Sequence, residues 1–531
     1  MNKYTADCTC VADAIAFIES VLSNSSLTKR NFHQTLLISE EIAVKIQEIE
    51  DVSKFKVTIA KNLGEFTVRM TFSSPRPFEL NDEDEEIGGR ILHYYGEKIK
   101  FRYRNGINTV TILAGQTFTQ YFHLSALAFA ASIIFCGIMF LSVSQENRII
   151  VLQEFILPIE HIFAKAVCLL ATPVTFFCLV SNIAEYSNLI DRYPDTRRLI
   201  VRYIATSVAA IGIGYGVFLC LRPLALNYEI MNEYRINSET TLNFSTIWNA
   251  LESIVPDDIF APFTKSNILP MLFLALISGI SVGIIDRQSG KCKELVDVIR
   301  DFFCKMLYIV FDFGAIMVFF CFSDAILYEG WHVLPYILYL LLALLVVLMV
   351  LNLYYMVDLV IHRISPEKTY ETMKRCFWET FLIGSSVDAI PNTLRHCIDK
   401  LELPRKPLEI SIPLGANMNM DGNCAVLMIL IPIIGIINGI ELTLAEVIIM
   451  GVTILMLSLG APNQPGSLTV ATMILLPQLG LAEEMITVTL IMEILTCRIL
   501  AASNVLGDIV TSTIVGEQER RRVKKQRQSM S

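Results

Sequence analysis

From Phe118 onward the chain repeats apolar runs of about 20 residues, the length at which an α-helix crosses the hydrocarbon of a bilayer. The clearest are Tyr121 to Val143, Ile159 to Ile183, Leu199 to Leu221, Ile268 to Ile285, Met306 to Leu327 and Val333 to Ile361. Residues 1 to 115 are different, with an ordinary share of charge. Over the whole 531 residues 53% are hydrophobic and only 18% charged, below the roughly 25% of soluble domains. The expected product is a multi-pass α-helical membrane protein preceded by a small soluble domain.

Charge in the loops orients the spans, because Lys and Arg in short loops collect on the cytoplasmic side. "DRYPDTRRLIVR" (191 to 202), "HRISPEKTYETMKR" (362 to 375) and "ERRRVKKQR" (519 to 527) are therefore expected inside. Segment 223 to 262 sets Glu229, Glu233, Glu239, Glu252, Asp257 and Asp258 against Arg235, and is expected outside. Both termini then face the cytoplasm. Met1 to Asp13 is largely polar and lacks the apolar middle of a secretory signal, so insertion is expected to begin at an internal span. Thirteen cysteines are scattered, and the close pair Cys8 and Cys10 fits no zinc or redox spacing. They read as small buried hydrophobes.

Between about 375 and 515 the hydrophobic pattern is interrupted by Gly, Pro, Asn, Ser and Asp. "IPLGANMNMDGNCAVLMILIPIIG" (412 to 435) places Asn417, Asn419, Asp421 and Asn423 within an otherwise apolar span. An intramembrane carboxylate costs about 2.5–3.5 kcal/mol even on the lenient insertion scale. Hydrogen-bonded packing between helices is one compensation. A bound hard cation is another, held by side-chain oxygens and by carbonyls freed where the helix unwinds. The combination of Asn, Asp and Gly beside a second polar helix, "ILTCRILAASNVLGD" (494 to 508), favours the cation.

"GSSVDAIPN" (384 to 392) and "SLGAPNQPGS" (458 to 467) read as tips of re-entrant hairpins: proline removes backbone donors, and small residues allow tight turns. Non-helical backbone at membrane depth survives where protein or a watery cavity surrounds it. Two successive units of hairpin plus interrupted helix match the inverted repeats of secondary transporters, with a site at the midplane.

Residues about 120 to 515 resemble the glutamate transporter, or dicarboxylate/amino acid:cation (Na⁺ or H⁺) symporter, family. The resemblance rests on "NMDG" (Asn419 to Gly422), "SIVPDDIF" followed by "ILPMLFLALISGI", "YIATS" (Tyr203 to Ser207) and "NVLGD" (Asn504 to Asp508), in the family's order. It implies eight transmembrane helices plus two re-entrant hairpins, a homotrimer, and a transport domain that slides elevator-fashion against a fixed scaffold. It also implies a carrier rather than an enzyme, in the inner cell membrane, with Na⁺ as coupling ion and no nucleic acid among its partners.

Residue by residue, one implied sodium site is Gly415, Asn419, Asn504 and Asp508, and another is Tyr203, Thr206, Ser207, Asn419 and Asp421. A third would use carbonyls around Ser458 to Ala461, where Asn417 and Ala461 replace the family's hydroxyl residues. The implied substrate pocket takes Ser385, Ser386, Asn423, Ala461, Gln464, Pro465, Gly466, Cys497, Arg498, Leu500 and Asn504. Acidic amino acid carriers place an Asp seven residues before the Asn of the eighth helix and an Arg four before it. Here Cys497 and Leu500 stand there, which disfavours glutamate and aspartate. Arg498 lies about 200° around an ideal helix from Leu500. It has two readings: a fork for a substrate carboxylate, or a structural partner of Glu493 or Asp388. A small carboxylate, dicarboxylate or amino acid, is the expected substrate class.

The N-terminal segment alternates like hairpins in "KFKVTIAKNLGEFTVRMTF" and "KIKFRYRNGINTVTIL", the latter turned at Asn105-Gly106, after an amphipathic helix, "FHQTLLISEEIAVKIQEI". The order resembles the histidine-kinase-like ATPase domain of anti-sigma-factor kinases. Glu41 is followed by Lys45 where that family has Asn; "SSPRPF" (73 to 78) lacks its Asp and Gly; "IGGRIL" (87 to 92) keeps a trace of its second glycine box. A degenerate, non-catalytic regulatory domain is expected at 1–115, the symporter at 116–516, and a basic cytoplasmic tail at 517–531. A solute sensor on a transporter scaffold, signalling through the N-terminal domain, is the alternative function.

Overall fold

A computed structural model describes residues 3–23, 29–49, 54–62, 65–75, 78, 99–104, 106–113, 119–193, 196–225, 254–256, 258–264, 268–289, 291–437, 442–460, 466–476 and 486–530. The chain divides into two compact units, Met1–Gln120 and Tyr121–Ser531.

In the first unit, strand β1 (Lys3–Cys8) precedes helices α1 (Val11–Leu22) and α2 (Lys29–Gln47). Strands β2 (Phe55–Asn62), β3 (Glu65–Ser73), β4 (Ile99–Arg104) and β5 (Ile107–Leu113) complete a five-stranded antiparallel sheet, ordered β1-β2-β3-β5-β4. Alternation decides which face is buried. Val57 is opposite Met70, and Met70 opposite Val110, so the apolar rows line up across the sheet. Ala14, Ile18 and Leu22, one helical turn apart, meet them from α1, and Ile38, Ile42 and Ile46 from α2. Cys8 belongs to this core, and burial, then the charges of Asp13 and Asp7, push its thiol up and keep it unreactive. The turn residue Asn105, Arg76 and Pro77 of "SSPRPF", and "IGGRIL" lie outside the described residues.

The second unit is helical throughout its described residues. It begins with α3 (Thr119–Ser142), α4 (Gln145–Val151), α5 (Leu157–Arg192), α6 (Thr196–Ala225), the short α7 (Ala261–Thr264) and α8 (Ile268–Ser289). Helices α9 (Cys292–Asp312) and α10 (Gly314–Glu329) follow, then α11 (Val333–Ile361). The chain closes with α12 (Pro366–Ile383), α13 (Ile390–Leu401), α14 (Arg405–Met418), α15 (Asp421–Ile437), α16 (Leu444–Gly460), α17 (Ser467–Leu475) and α18 (Ile486–Met530). Among the described residues, seven helices are long and apolar enough to cross a membrane, and an eighth if the pair bent by 55° after Asp312 is one span. This is a multi-pass membrane protein.

Burial separates the spans into two kinds. In the best apolar window of Leu124–Ser142 22% of residues are buried within the protein, whereas in that of Pro407–Ile436 it is 94%. The first is apolar because it faces outward, the second because it is core, and only a core helix can keep buried polar residues supplied with partners. Around this inner helix pack α6 and α11 against α15, and α18 against α12, α14, α11 and α17. Helix α13 has 12 residues and α17 has 9, each too short to span. Each pairs with a neighbour, α12 with α13 and α16 with α17.

Candidate functional site

The inner helix breaks where the sequence is most polar. Helix α14 ends at Met418, Asn419 leaves the helical region at φ −99°, ψ 79°, and α15 restarts at Asp421. Gly415 explains why the break is packed so closely. A Cβ at this position would stand 2.6 Å from the Tyr203 hydroxyl and 2.8 Å from Asp508 Cγ, so any side chain would force the helices apart.

Helices α6 and α18 deliver oxygen-bearing side chains to this break. From α6, Thr206 Oγ1 donates to Asn419 Oδ1 (3.1 Å) and Ser207 Oγ to Asp421 Oδ1 (2.8 Å). Tyr203 Oη, fully buried, donates to the Ser411 carbonyl (2.8 Å). From α18, Asp508 Oδ1 accepts from Asn419 Nδ2 (3.0 Å), and Asn504 Oδ1 accepts from Gly422 N–H (2.9 Å). Asn504 Nδ2 donates to Asn423 Oδ1 (3.2 Å), whose amide donates to Ser467 Oγ at the start of α17 (3.3 Å). All eight residues expected to hold sodium are thus gathered around the break, and Tyr203, Thr206, Ser207, Asn419, Asp421, Asn504 and Asp508 are buried. Their donors are hydroxyl, amide and carboxylate oxygens, a hard-ligand set suited to a hard cation.

Tyr355 on α11 has a place in this cluster that the sequence did not reveal. Its hydroxyl donates to Asp421 Oδ2 (3.1 Å), so both oxygens of that buried carboxylate are engaged, one by α6 and one by α11. One turn further along α11, Asp358 makes a salt bridge with Arg202, the neighbour of Tyr203. In the sequence Tyr355 is one more aromatic residue in an apolar run; only the three-residue spacing to the intramembrane Asp358 hinted that this helix has a polar side.

The residues expected to bind substrate divide. Asn423 and Asn504 join the network above. Gly384 closes α12 in the left-handed conformation (φ 82°). Ser385 Oγ then accepts from Asp388 N–H (3.2 Å), and Ser386 is buried in the same turn. Ala461, Gln464 and Pro465 lie outside the described residues. Cys497 Sγ faces the Ile494 carbonyl of its own helix at 3.9 Å, and Leu500 is buried. Of the third sodium set, Asn417 donates to Pro413 O (3.0 Å) and Ser458 to Leu455 O (2.7 Å), each within its own helix.

Arg498 is the one Lys or Arg buried among the described residues. Its Nη1 donates to the carbonyls of Leu382 (3.0 Å) and Phe381 (3.3 Å), at the C-terminal end of α12, where partial negative charge collects. Glu493, considered above as its acidic partner, meets the start of α17 instead. Oε1 accepts from Gly466 N–H (3.0 Å), and Oε2 from Thr469 N–H (2.9 Å) and Oγ1 (3.4 Å). It therefore caps the N-terminus of α17 from a different helix. The C-terminal end of α16, earlier in the chain, is tied to α5, where Asn182 Nδ2 (3.0 Å) and Tyr186 Oη (3.4 Å) donate to the Leu459 carbonyl.

Comparison with known proteins places this architecture. Residues 123–518 match the family described as Sodium:dicarboxylate symporter family. The chain is 23% identical over 381 residues to a C4-dicarboxylate transport protein of Cupriavidus necator, covering 68% of this chain and 85% of that one. It is 24% identical over 253 residues to excitatory amino acid transporter 3 of Mus musculus, covering 47% of this chain and 48% of that one.

Proposed function

Since the chain belongs to the sodium:dicarboxylate symporter family, we propose that it is a secondary active symporter that couples Na⁺ entry to uptake of a small carboxylate. The observation that carries this reading is the convergence of Thr206, Ser207, Asn419, Asp421 and Asp508, from three separate parts of the chain, on one break in a buried helix. Two carboxylates buried this close need positive charge or their protons, and sodium supplies the first. The relatives' names, C4-dicarboxylate transport and excitatory amino acid transport, support the substrate class.

In this reading Gly415, Asn419, Asn504 and Asp508 hold one ion, and Tyr203, Thr206, Ser207, Asn419 and Asp421 another. Asn419 is shared. An ion on either set organises the same unwound residue, and through Asn504, Asn423 and Ser467 it reaches the second hairpin. Binding of sodium therefore precedes and shapes the substrate site; the two hairpins are re-entrant, and the second closes over the solute. Helices α6 and α11, which carry or touch the ion ligands, then move elevator-fashion together with α12 to α18, within a homotrimer set in the inner membrane, with both termini cytoplasmic. The N-terminal unit is read as a regulatory domain.

Uptake into proteoliposomes tests the assignment. Asp421→Asn and Asp508→Asn each keep the side chain's shape and remove its charge, and each is expected to weaken the sodium dependence of uptake and of thermal stability. An unchanged sodium response in both variants would sink it.

A further inference from the structure

Among the described residues, the sheet of the N-terminal unit is covered by helices on one face only. Helices α1 and α2 pack on the face built from Val57, Val68, Met70 and Val110. Side chains alternate along a strand, so the residues between these point to the other face. Lys56, Arg69, Arg102 and Arg104 stand there, on β2, β3 and β4, and all four are exposed. Register gathers them. Lys56 is opposite Thr71, Thr71 opposite Thr109, and Thr109 opposite Arg102, one row across four strands. Arg69 lies opposite Thr111 in the next row, and Arg104 opposite Ile107 on the other side. Among the described side chains of this face the one acid is Asp7, opposite Lys56. The acids Asp13, Glu19, Glu40 and Glu41 belong to the helices behind the sheet, so charge is sorted between its two sides.

The chain also fixes where this face can look for negative charge. Residues 114 to 118 alone separate the end of β5 from the start of α3, which contains the span Leu124–Ser142. Fully extended, that connection reaches roughly 20 Å. A tether so short makes contact with the bilayer surface an intramolecular event. The potential of an anionic leaflet acts over about a Debye length, about 10 Å at 0.1 M salt. Lys and Arg supply the attraction, and the threonine hydroxyls between them can donate to phosphate oxygens. Nucleic acid would need the same charge, but single strands also need rings on which bases stack. Phe101 and Tyr103 of β4 are opposite Val110 and Asn108, on the helix-covered side.

We propose that this sheet face docks on anionic phospholipid headgroups of the bilayer that holds the second unit, with Lys56, Arg69, Arg102 and Arg104 as its contacts. Neither a solute nor a coupling ion takes part in this attachment.

Lysine footprinting tests it on the full-length protein in nanodiscs of phosphatidylcholine, with or without phosphatidylglycerol. Acylation rates at Lys56 and Lys45 are read by mass spectrometry, Lys45 on α2 being the reference on the helical side. Phosphatidylglycerol is expected to slow labelling of Lys56 relative to Lys45 by about fivefold or more, the worth of a single basic residue at an anionic leaflet. Concentrated choline chloride, which shortens the Debye length to about 3 Å at 1 M, is expected to restore the rate. Arg69→Glu combined with Arg102→Glu cancels the net positive charge of the four contacts and is expected to abolish the slowing. The salt comparison uses the unaltered protein, so the outcome does not depend on the variant folding. Equal labelling of Lys56 in the two lipid compositions overturns the proposal, as does slowing that survives high salt or the double charge reversal. Slowing that appears only when a single-stranded oligonucleotide is added, whatever the lipid, also overturns it and assigns the face to nucleic acid.

Discussion

Asp421 shows how a buried charge is made tolerable by residues that look unremarkable in the sequence. Ser207 and Tyr355 approach its two oxygens from opposite helices. Removing one donor leaves the carboxylate short of a partner in a place water does not reach, at a cost of about 1–3 kcal/mol. Tyr355→Phe keeps the ring and its packing and loses only the hydroxyl. It should lower thermal stability in sodium-free buffer and weaken the apparent sodium affinity, both measurable in one titration of Tm against NaCl. Equal curves for wild type and variant would mean that the hydroxyl bond does not position Asp421. The acidic and amide residues of this site were legible because Asn and Asp stand out within an apolar span. Tyr355 was not, because a tyrosine in such a run has the same signature whether it faces lipid, core or a carboxylate.

At the scale of elements, α16 is followed by α17, a helix of only nine residues, and the C-terminal end of the one and the N-terminal start of the other are supplied by other parts of the chain. Asn182 and Tyr186 bind the carbonyl end of α16, and Glu493 binds the amide end of α17. A nine-residue helix with a left-handed residue, Gly466 (φ 94°), at its start has little intrinsic stability. Its capping carboxylate is therefore a principal local support. Glu493→Gln, which keeps the length and loses the charge, should cost about 1–2 kcal/mol in local opening free energy. Hydrogen exchange across 467 to 475 should accelerate while that across α12 and α13 stays the same. Uniform acceleration in both hairpins would show that the cap acts globally instead. Which distant side chain caps which helix end was not legible in the sequence, since no local pattern records it.

The whole chain consists of two units with separate hydrophobic cores, one centred on the sheet and two helices and the other on the membrane helices. Among the described residues the two cores draw on separate stretches of the chain, so deletion of residues 1–120 should leave the sodium-dependent rise in Tm of the membrane unit unchanged. A deletion that abolishes the sodium response while the protein remains monodisperse would show that the N-terminal unit takes part in ion binding.

The sequence by itself determined the solvent, the clearest apolar spans and the polar interruption around Asn419. These follow from composition, run length and short motifs, which are local properties of a chain that must satisfy its backbone in hydrocarbon. Only the tertiary structure decided what Arg498, Glu493 and Tyr355 touch. Arg498 and Glu493 lie five residues apart on one helix, yet each turns to a different element, one to carbonyls at the end of α12 and the other to amides at the start of α17. Their opposite charges suggested a pair in the sequence; in the folded chain the two opposite helix poles were the better partners, because each pole offers several aligned backbone groups where a side chain offers one charge.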